Sequence, residues 1–206
     1  MDYPTSIKAL IDALKGMPGV GGRSAEKLAL WFLTGKKKNP IELAEALVNT
    51  TTKIDLCSSC GFFMEKDQPC EACAQAERFP NTLCVLEQAS DVLSMSRSKA
   101  IQCGYHVLGG KLSPLDGISP EDLNISNLLE RARKHCETGE PLEIILALGS
   151  DVEAQATCQF IADQLSDLGL LCTITQLAQG LPAGSNLGHA DELTLKHALD
   201  GRKRVS

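Results

Sequence analysis

The stretch "CSSCGFFMEKDQPCEAC", residues 57–73, limits what this chain can fold into more than any other part of it. It reads Cys57-x2-Cys60-x9-Cys70-x2-Cys73. Two residues within each pair let both thiolates reach one ion, and the longer loop lets the pairs meet. The spacing predicts a tetrahedral site for one Zn2+ per chain. Four thiolates leave no position for water or substrate, so the ion is expected to be structural rather than catalytic. The alternative is a redox dithiol, but that chemistry does not normally place two Cys-x-x-Cys pairs so close together. A segment this short buries little apolar surface, so metal binding would supply most of its folding energy. The other cysteines, at 84, 103, 136, 158 and 172, read as small core residues.

Ahead of this module lies "GMPGVGGRSAEKLA", residues 16–29. Ile7, Leu10, Ile11 and Leu14 recur at helical spacing, and Pro18 with the glycines breaks that helix. A second helix is expected from Ser24 and Ala25, with Leu28, Ala29, Trp31, Phe32 and Leu33 on its buried side. A third is expected over 41–51, with Leu43, Ala44 and Leu47 inward, after a basic connector at 36–40. Gly19 and Gly21 allow positive φ and close backbone approach, and the second helix offers free N–H groups and its dipole to an anion. Arg23 and Lys27, four residues apart, share a helical face. Together they form a sequence-independent phosphate clamp. A plain helical hairpin with a glycine turn is the other reading of the same residues.

The chain carries a formal charge of -6, yet the charge is segregated. Residues 1–40 hold seven Lys/Arg and three acids, while residues 80–200 hold seven basic and sixteen acidic residues. A basic end can hold a phosphate backbone while an acidic body limits indiscriminate binding, so an acidic total does not exclude nucleic acid. The basic end of the chain, Arg202-Lys203-Arg204, reads as a solvated end or subunit contact, with DNA contact as the alternative. No apolar run approaches the roughly 20 residues needed to span a bilayer. The first residues lack a basic-then-apolar leader, so a cytoplasmic protein with no membrane contact is expected.

From Thr82 the texture changes. "TLCVLE", "YHVLGG", "LEIILALG" and "LLCTIT" read as buried strands. They alternate with helices over Ala89–Ala100, Ile125–Cys136 and Val152–Leu168, and a last helix covers Ala190–Leu199. That alternation predicts a parallel α/β sheet. The expected divisions are a helical region at 1–53, the cysteine module at 54–79, the α/β domain at 80–200 and a basic tail at 201–206. Glu87, Asp151 and Glu153 follow strand ends, where α/β sheets gather ligands. They read either as a Mg2+ site or as helix caps and interface groups, Asp151 standing where an N-cap belongs. The loop "GGKLSPLDGISPED" is long and turn-rich and is not a P-loop. It reads as an interface loop with Lys111 and Asp116 as polar contacts, or as a well-packed crossover.

These pieces, in this order, resemble the RecR family of bacterial recombination mediators. The likeness rests on "LKGMPGVGGRSAEKLA", the four-cysteine motif, "TLCVLEQASD" as a first Toprim strand, "LGGKLSPLDGISPEDL" and "ADELTLKHALDGR". It implies an α/β fold with an N-terminal helix-hairpin-helix, a zinc module and a C-terminal Toprim domain. It implies a non-enzymatic role in DNA repair and recombination, working with RecO-like and RecF-like proteins to load RecA onto gapped or single-stranded DNA. It also implies contact with single- and double-stranded DNA and self-association as a dimer or ring-like tetramer. DNA contact is carried to Gly19, Gly21, Arg23 and Lys27, and zinc ligation to the four cysteines. Catalytic Toprim enzymes use a glutamate on the first strand, matched by Glu87, and an Asp-x-Asp that here falls on Gly149 and Asp151. Relatives also carry glutamates where Gln155 and Gly188 stand. Those losses favour a scaffold over the rival reading, a Mg2+-dependent Toprim nuclease or primase-like enzyme. A second rival is a zinc-stabilised protein-interaction module.

Overall fold

The computed structural model describes residues 2–35, 39–170, 172–181, 184 and 186–202. Lys36–Lys38 of the expected connector and Lys203–Arg204 of the tail lie outside the described residues. Compactness divides the chain at Lys53/Ile54. The four cysteines therefore belong to the same unit as the sheet.

The first unit has three helices, α1 (Thr5–Lys15), α2 (Gly22–Thr34) and α3 (Pro40–Lys53). Its core is small: Ile11 and Leu14 of α1 close on Ala25 and Ala29 of α2, with Ile7, Leu10 and Val20 beside them. Two alanines with no exposed surface let the helices approach closely; of the expected buried side of α2, Ala29 is buried and Phe32 half-buried, while the rest departs from that expectation. Leu28, Trp31 and Leu33 point to solvent at 38%, 52% and 55% exposure, because Ala25 and Ala29 set the helix's rotation instead. Nor are Leu43, Ala44 and Leu47 inward: α3 buries no residue. Helix α2 also begins at Gly22, two residues before the expected start.

The second unit opens with a short antiparallel pair, β1 (Ile54–Leu56) and β2 (Phe63–Glu65), then α4 (Glu71–Arg78). A four-stranded parallel sheet follows: β3 (Thr82–Leu86), β4 (Gly104–Val107), β5 (Leu142–Ala147) and β6 (Cys172–Gln176), in the order β4-β3-β5-β6. Cys84 pairs with Tyr105 on one side and Ile145 on the other, fixing the register. The connecting helices are α5 (Ala89–Ser98), α6 (Ile125–Cys136) and α7 (Val152–Asp167), and α8 (Glu192–Asp200) closes the described chain. The strands are near-continuous apolar runs because both faces are covered. Leu128 and Ala132 of α6 and Ile161 and Leu165 of α7 pack on one face, Val92 of α5 on the other. Among the described residues no helix is long and apolar enough to cross a membrane.

One buried polar group pins α6 to the sheet. His106 has no exposed surface. Arg131 Nη1 lies 3.1 Å from His106 Nδ1 and donates to the Tyr105 carbonyl at 2.9 Å. A guanidinium only donates, so Nδ1 accepts and Nε2 carries the proton, which it gives to the Asn124 carbonyl at 2.7 Å. Burial, aided by the Arg131 charge, lowers this imidazole from 6.5 to about 4. The unfolded chain takes up a proton as pH falls through 6.5, while the folded chain resists until about 4. Stability is therefore expected to fall across that window, by about 3 kcal/mol from this group alone. Urea midpoints at pH 7 and pH 4.5 read the loss directly, and His106→Asn should flatten the dependence.

Candidate nucleic-acid interface and metal centre

The hairpin of the first unit is built by backbone chemistry. Met17 N–H donates to the Leu14 carbonyl and Val20 N–H to the Met17 carbonyl, so the chain reverses within a few residues. Gly19 holds φ +77°, which a side chain rarely adopts, with open space around it. Gly21 is the residue before α2, and no side chain caps the helix there. The α2 N-terminus thus offers uncapped N–H groups and the positive end of its dipole to solvent. Arg23 and Lys27 lie exposed on its first turns, and neither forms an ion pair among the described residues. Lys8 and Lys15, by contrast, are held by Asp2 and Asp12. Sequence reasoning did not single out Lys15. Its Cε lies 3.9 Å from where a Gly22 Cβ would sit, which brings its stem beside the α2 N-terminus. Its place in the last turn of α1, just before the glycines, was the available signal.

The four expected metal ligands converge. Their sulfurs all lie within 4.8 Å of one another, Cys57 to Cys73 at 3.7 Å and Cys60 to Cys70 at 3.5 Å, and none forms a disulfide. Four metal–sulfur bonds of about 2.3 Å in a tetrahedron put the sulfurs about 3.8 Å apart, so the spacing suits a soft tetrahedral ion. The thiols differ in acidity. Burial raises Cys57, but the Cys60 and Ser59 amides outweigh it and bring the thiol down to about 7. Burial pushes Cys60 far up, and Cys73 rises to about 11 through burial and its neighbouring thiols. Four thiolates gathered in a buried site need a cation to hold them there, and the set fits Zn2+.

The knuckle is also stitched to the sheet. Cys57 N–H donates to the Phe62 carbonyl and Gly61 N–H to the Cys57 carbonyl, both at 2.8 Å. The Cys60 carbonyl accepts from Val107 N–H at 2.7 Å, joining the metal site to the edge strand β4.

The acids meet where the sheet's strand order switches. β3 connects outward to β4, and the chain then crosses back to β5 on the other side of β3, so the carboxyl ends of β3 and β5 frame a crevice. Glu87 stands at the end of β3, and Asp151 caps α7 through its Oδ1, which accepts from Ala154 N–H at 2.9 Å. Lys111 Nζ lies 2.6 Å from Asp151 Oδ2 and 3.4 Å from Glu153 Oε2. The Lys111 hydrogen bond, then the Ala154 amide, lower Asp151, and the same Asp151 bond raises Lys111. Ser113 Oγ lies 2.7 Å from Glu153 Oε1 and 2.8 Å from Asp116 Oδ2, and its one proton goes to one of them. Of the two polar groups expected as contacts of the loop, Lys111 is therefore held within the chain, while Asp116 is exposed beside Ser113. The group standing out is Leu115, 96% exposed at the tip.

A basic helical hairpin, a four-thiol centre and an acid-lined parallel sheet define a Toprim-domain protein equipped to grip a phosphate backbone. Comparison with family models assigns each part: residues 81–176 match the Toprim domain, 7–51 the RecR helix-hairpin-helix and 180–203 the RecR C-terminal region. The chain belongs to the RecR family, and with that membership comes a role in DNA recombination and repair.

Proposed function

We propose that this chain is a non-enzymatic recombination mediator: a DNA-binding scaffold that works with RecO-like and RecF-like proteins to load RecA onto gapped or single-stranded DNA. The observation that carries the reading is the start of α2, a helix N-terminus with no side-chain cap, bearing Arg23 and Lys27, which form no ion pair among the described residues, in a RecR-type hairpin. Gly19 and Gly21 let the DNA backbone approach, and the two cations hold phosphates of any sequence. Zn2+ at Cys57, Cys60, Cys70 and Cys73 is the ion we assign to the metal centre, as a structural cofactor. Glu87, Asp151 and Glu153 serve partner contact rather than catalysis. The loop carrying Lys111 and Asp116 faces the partner protein with Leu115 leading. The protein works in the cytoplasm, on the nucleoid.

One hairpin touches few phosphates and binds weakly, whereas several on one DNA gain through effective concentration. We assign that gain to self-association as a dimer or ring-like tetramer. The exposed apolar side chains Trp31, Ile41, Leu47 and Val48 of the first unit support it. An electrophoretic shift series on gapped DNA tests the whole reading. Arg23→Ala/Lys27→Ala is expected to weaken binding at least tenfold and to make the log–log salt dependence shallower by about 2 per engaged hairpin. Unchanged affinity would leave the hairpin a packing device and favour a protein-interaction module. DNA cut only when Mg2+ is added would replace the scaffold with an enzyme.

A further inference from the structure

The Toprim fold implies a divalent cation among the acids at the carboxyl ends of β3 and β5, and the residues of this chain do not fit one. Mg2+ asks for near-octahedral oxygen ligands at about 2.1 Å. Both Asp151 oxygens already have partners, Oδ1 capping α7 and Oδ2 holding Lys111, and the ammonium stands where a metal ion would have to sit. Glu153 meets Lys111 through Oε2, and its Oε1 lies 2.7 Å from Ser113 Oγ. Between Glu87 and Asp151 stands Gly149. A Cβ there would lie 3.4 Å from Asp151 Oδ2 and 3.8 Å from Glu87 Oε2, so the position best placed to add a carboxylate adds none.

The cation in this crevice is a lysine, and it is held on a short tether. Leu112 N–H donates to Thr157 Oγ1 at 2.9 Å, and Thr157, fully buried, returns its proton to the Glu153 carbonyl at 2.7 Å. Ser113 is only 2% exposed, and its backbone bridges to Ile118 in both directions. The residues after Lys111 are thus fixed to the first turns of α7, and the ammonium has little freedom to leave. Its side chain is 24% exposed, against 53% for Asp151.

We infer that Lys111 is the resident counter-cation of the Toprim acids: it takes the place of a divalent metal and latches the loop 111–118 onto the start of α7. Three carboxylates against one ammonium leave the surface acidic, while the loop's shape no longer depends on free Mg2+. The inference rests on the Toprim reading of residues 81–176 and does not need DNA binding, so the two fail separately.

Mn2+ uptake by the full-length protein, followed by loss of the free-ion electron paramagnetic resonance signal, tests it without DNA. Mn2+ prefers oxygen ligands and leaves the thiolate centre alone. Wild type and Lys111→Arg are expected to take up no Mn2+ at this crevice. Lys111→Met is expected to bind one ion per chain at least tenfold more tightly, and Lys111→Met/Asp151→Asn to lose that site. Hydrogen exchange at Leu112 and Ile118 should speed up in Lys111→Met and slow again when Mn2+ is added. Equal uptake by wild type and Lys111→Met overturns the inference, as does wild-type uptake that Asp151→Asn abolishes. Unchanged exchange at both amides overturns the latch.

Discussion

Stripping the metal from the four-cysteine centre is expected to unfold residues 54–79 and to weaken the sheet behind them. The segment has little else to hold it. Two strands of three residues and one short α-helix bury the ligands Cys57, Cys60 and Cys70 together with Ala72, plus parts of Phe62, Met64 and Cys73. Structural Zn2+ in finger-sized segments is worth roughly 10–16 kcal/mol at neutral pH, which exceeds what such a core can provide. The effect should travel, because the Cys60 carbonyl holds Val107 N–H and α4 lies against β4. Chelation should therefore lower the melting temperature by more than 10 °C, on the order of a few kcal/mol in a domain of this size. Protease sites should open within 54–79. Zn2+ or Co2+ should restore the fold, and Cys60→Ser should behave like the stripped protein and ignore added metal. The α1–α2 core, built from Ile11, Leu14, Ala25 and Ala29, contains none of these ligands and should survive. A stripped protein that melts like the loaded one would make the cysteines a redox or vestigial set.

The features legible in the sequence are those whose chemistry is local. Ligand spacing is written within seventeen residues, and the sulfurs do converge. The glycine turn is written within six, and Gly19 does take positive φ. The alternation of apolar runs and helical periods points to the parallel sheet, since strands covered on both faces carry few polar residues to blur the signal. Burial on α2 holds at Ala29 but departs from expectation at Leu28, Trp31 and Leu33 for a physical reason. Large apolar side chains usually face the core, but a two-helix hairpin has one small contact surface, and two alanines fill it. The apolar surplus of α2 and α3 is then left exposed. The Lys111–Asp151 pair spans forty positions of sequence, and His106 sits in a strand whose other residues are apolar. Nothing local announces either. Both depend on which strand neighbours which, and that is set by topology.

The glycine at the knuckle makes the second large prediction, and it separates two costs that usually arrive together. Gly61 holds φ +73°, and a Cβ built on it would lie 2.5 Å from the Val107 carbonyl oxygen and 3.1 Å from Asn124 Nδ2. An alanine there meets a left-handed backbone, worth about 1–2 kcal/mol. It also meets a backbone oxygen held in place: the Val107 carbonyl accepts from Asn124 Nδ2 at 3.1 Å, and Leu108 N–H of the same peptide donates to the Leu86 carbonyl at 2.9 Å. Gly104 offers the steric cost alone: its φ is ordinary, yet its Cβ would lie 2.6 Å from the Ala76 Cβ, where α4 meets β4. Gly61→Ala is expected to lose about 4 kcal/mol or more and Gly104→Ala about 2–3 kcal/mol, both through the module's seat on the sheet. Urea denaturation monitored by circular dichroism measures both losses. Metal content separates their routes, because Gly61 lies next to the ligand Cys60 while Gly104 meets Ala76 of α4 and Leu83 of β3, neither of them a ligand. Gly61→Ala should therefore shed metal to a competing chelator faster than wild type, and Gly104→Ala should hold it more nearly as wild type does. Equal metal retention in the two variants would mean that the knuckle folds around its ion independently of the strand it leans on.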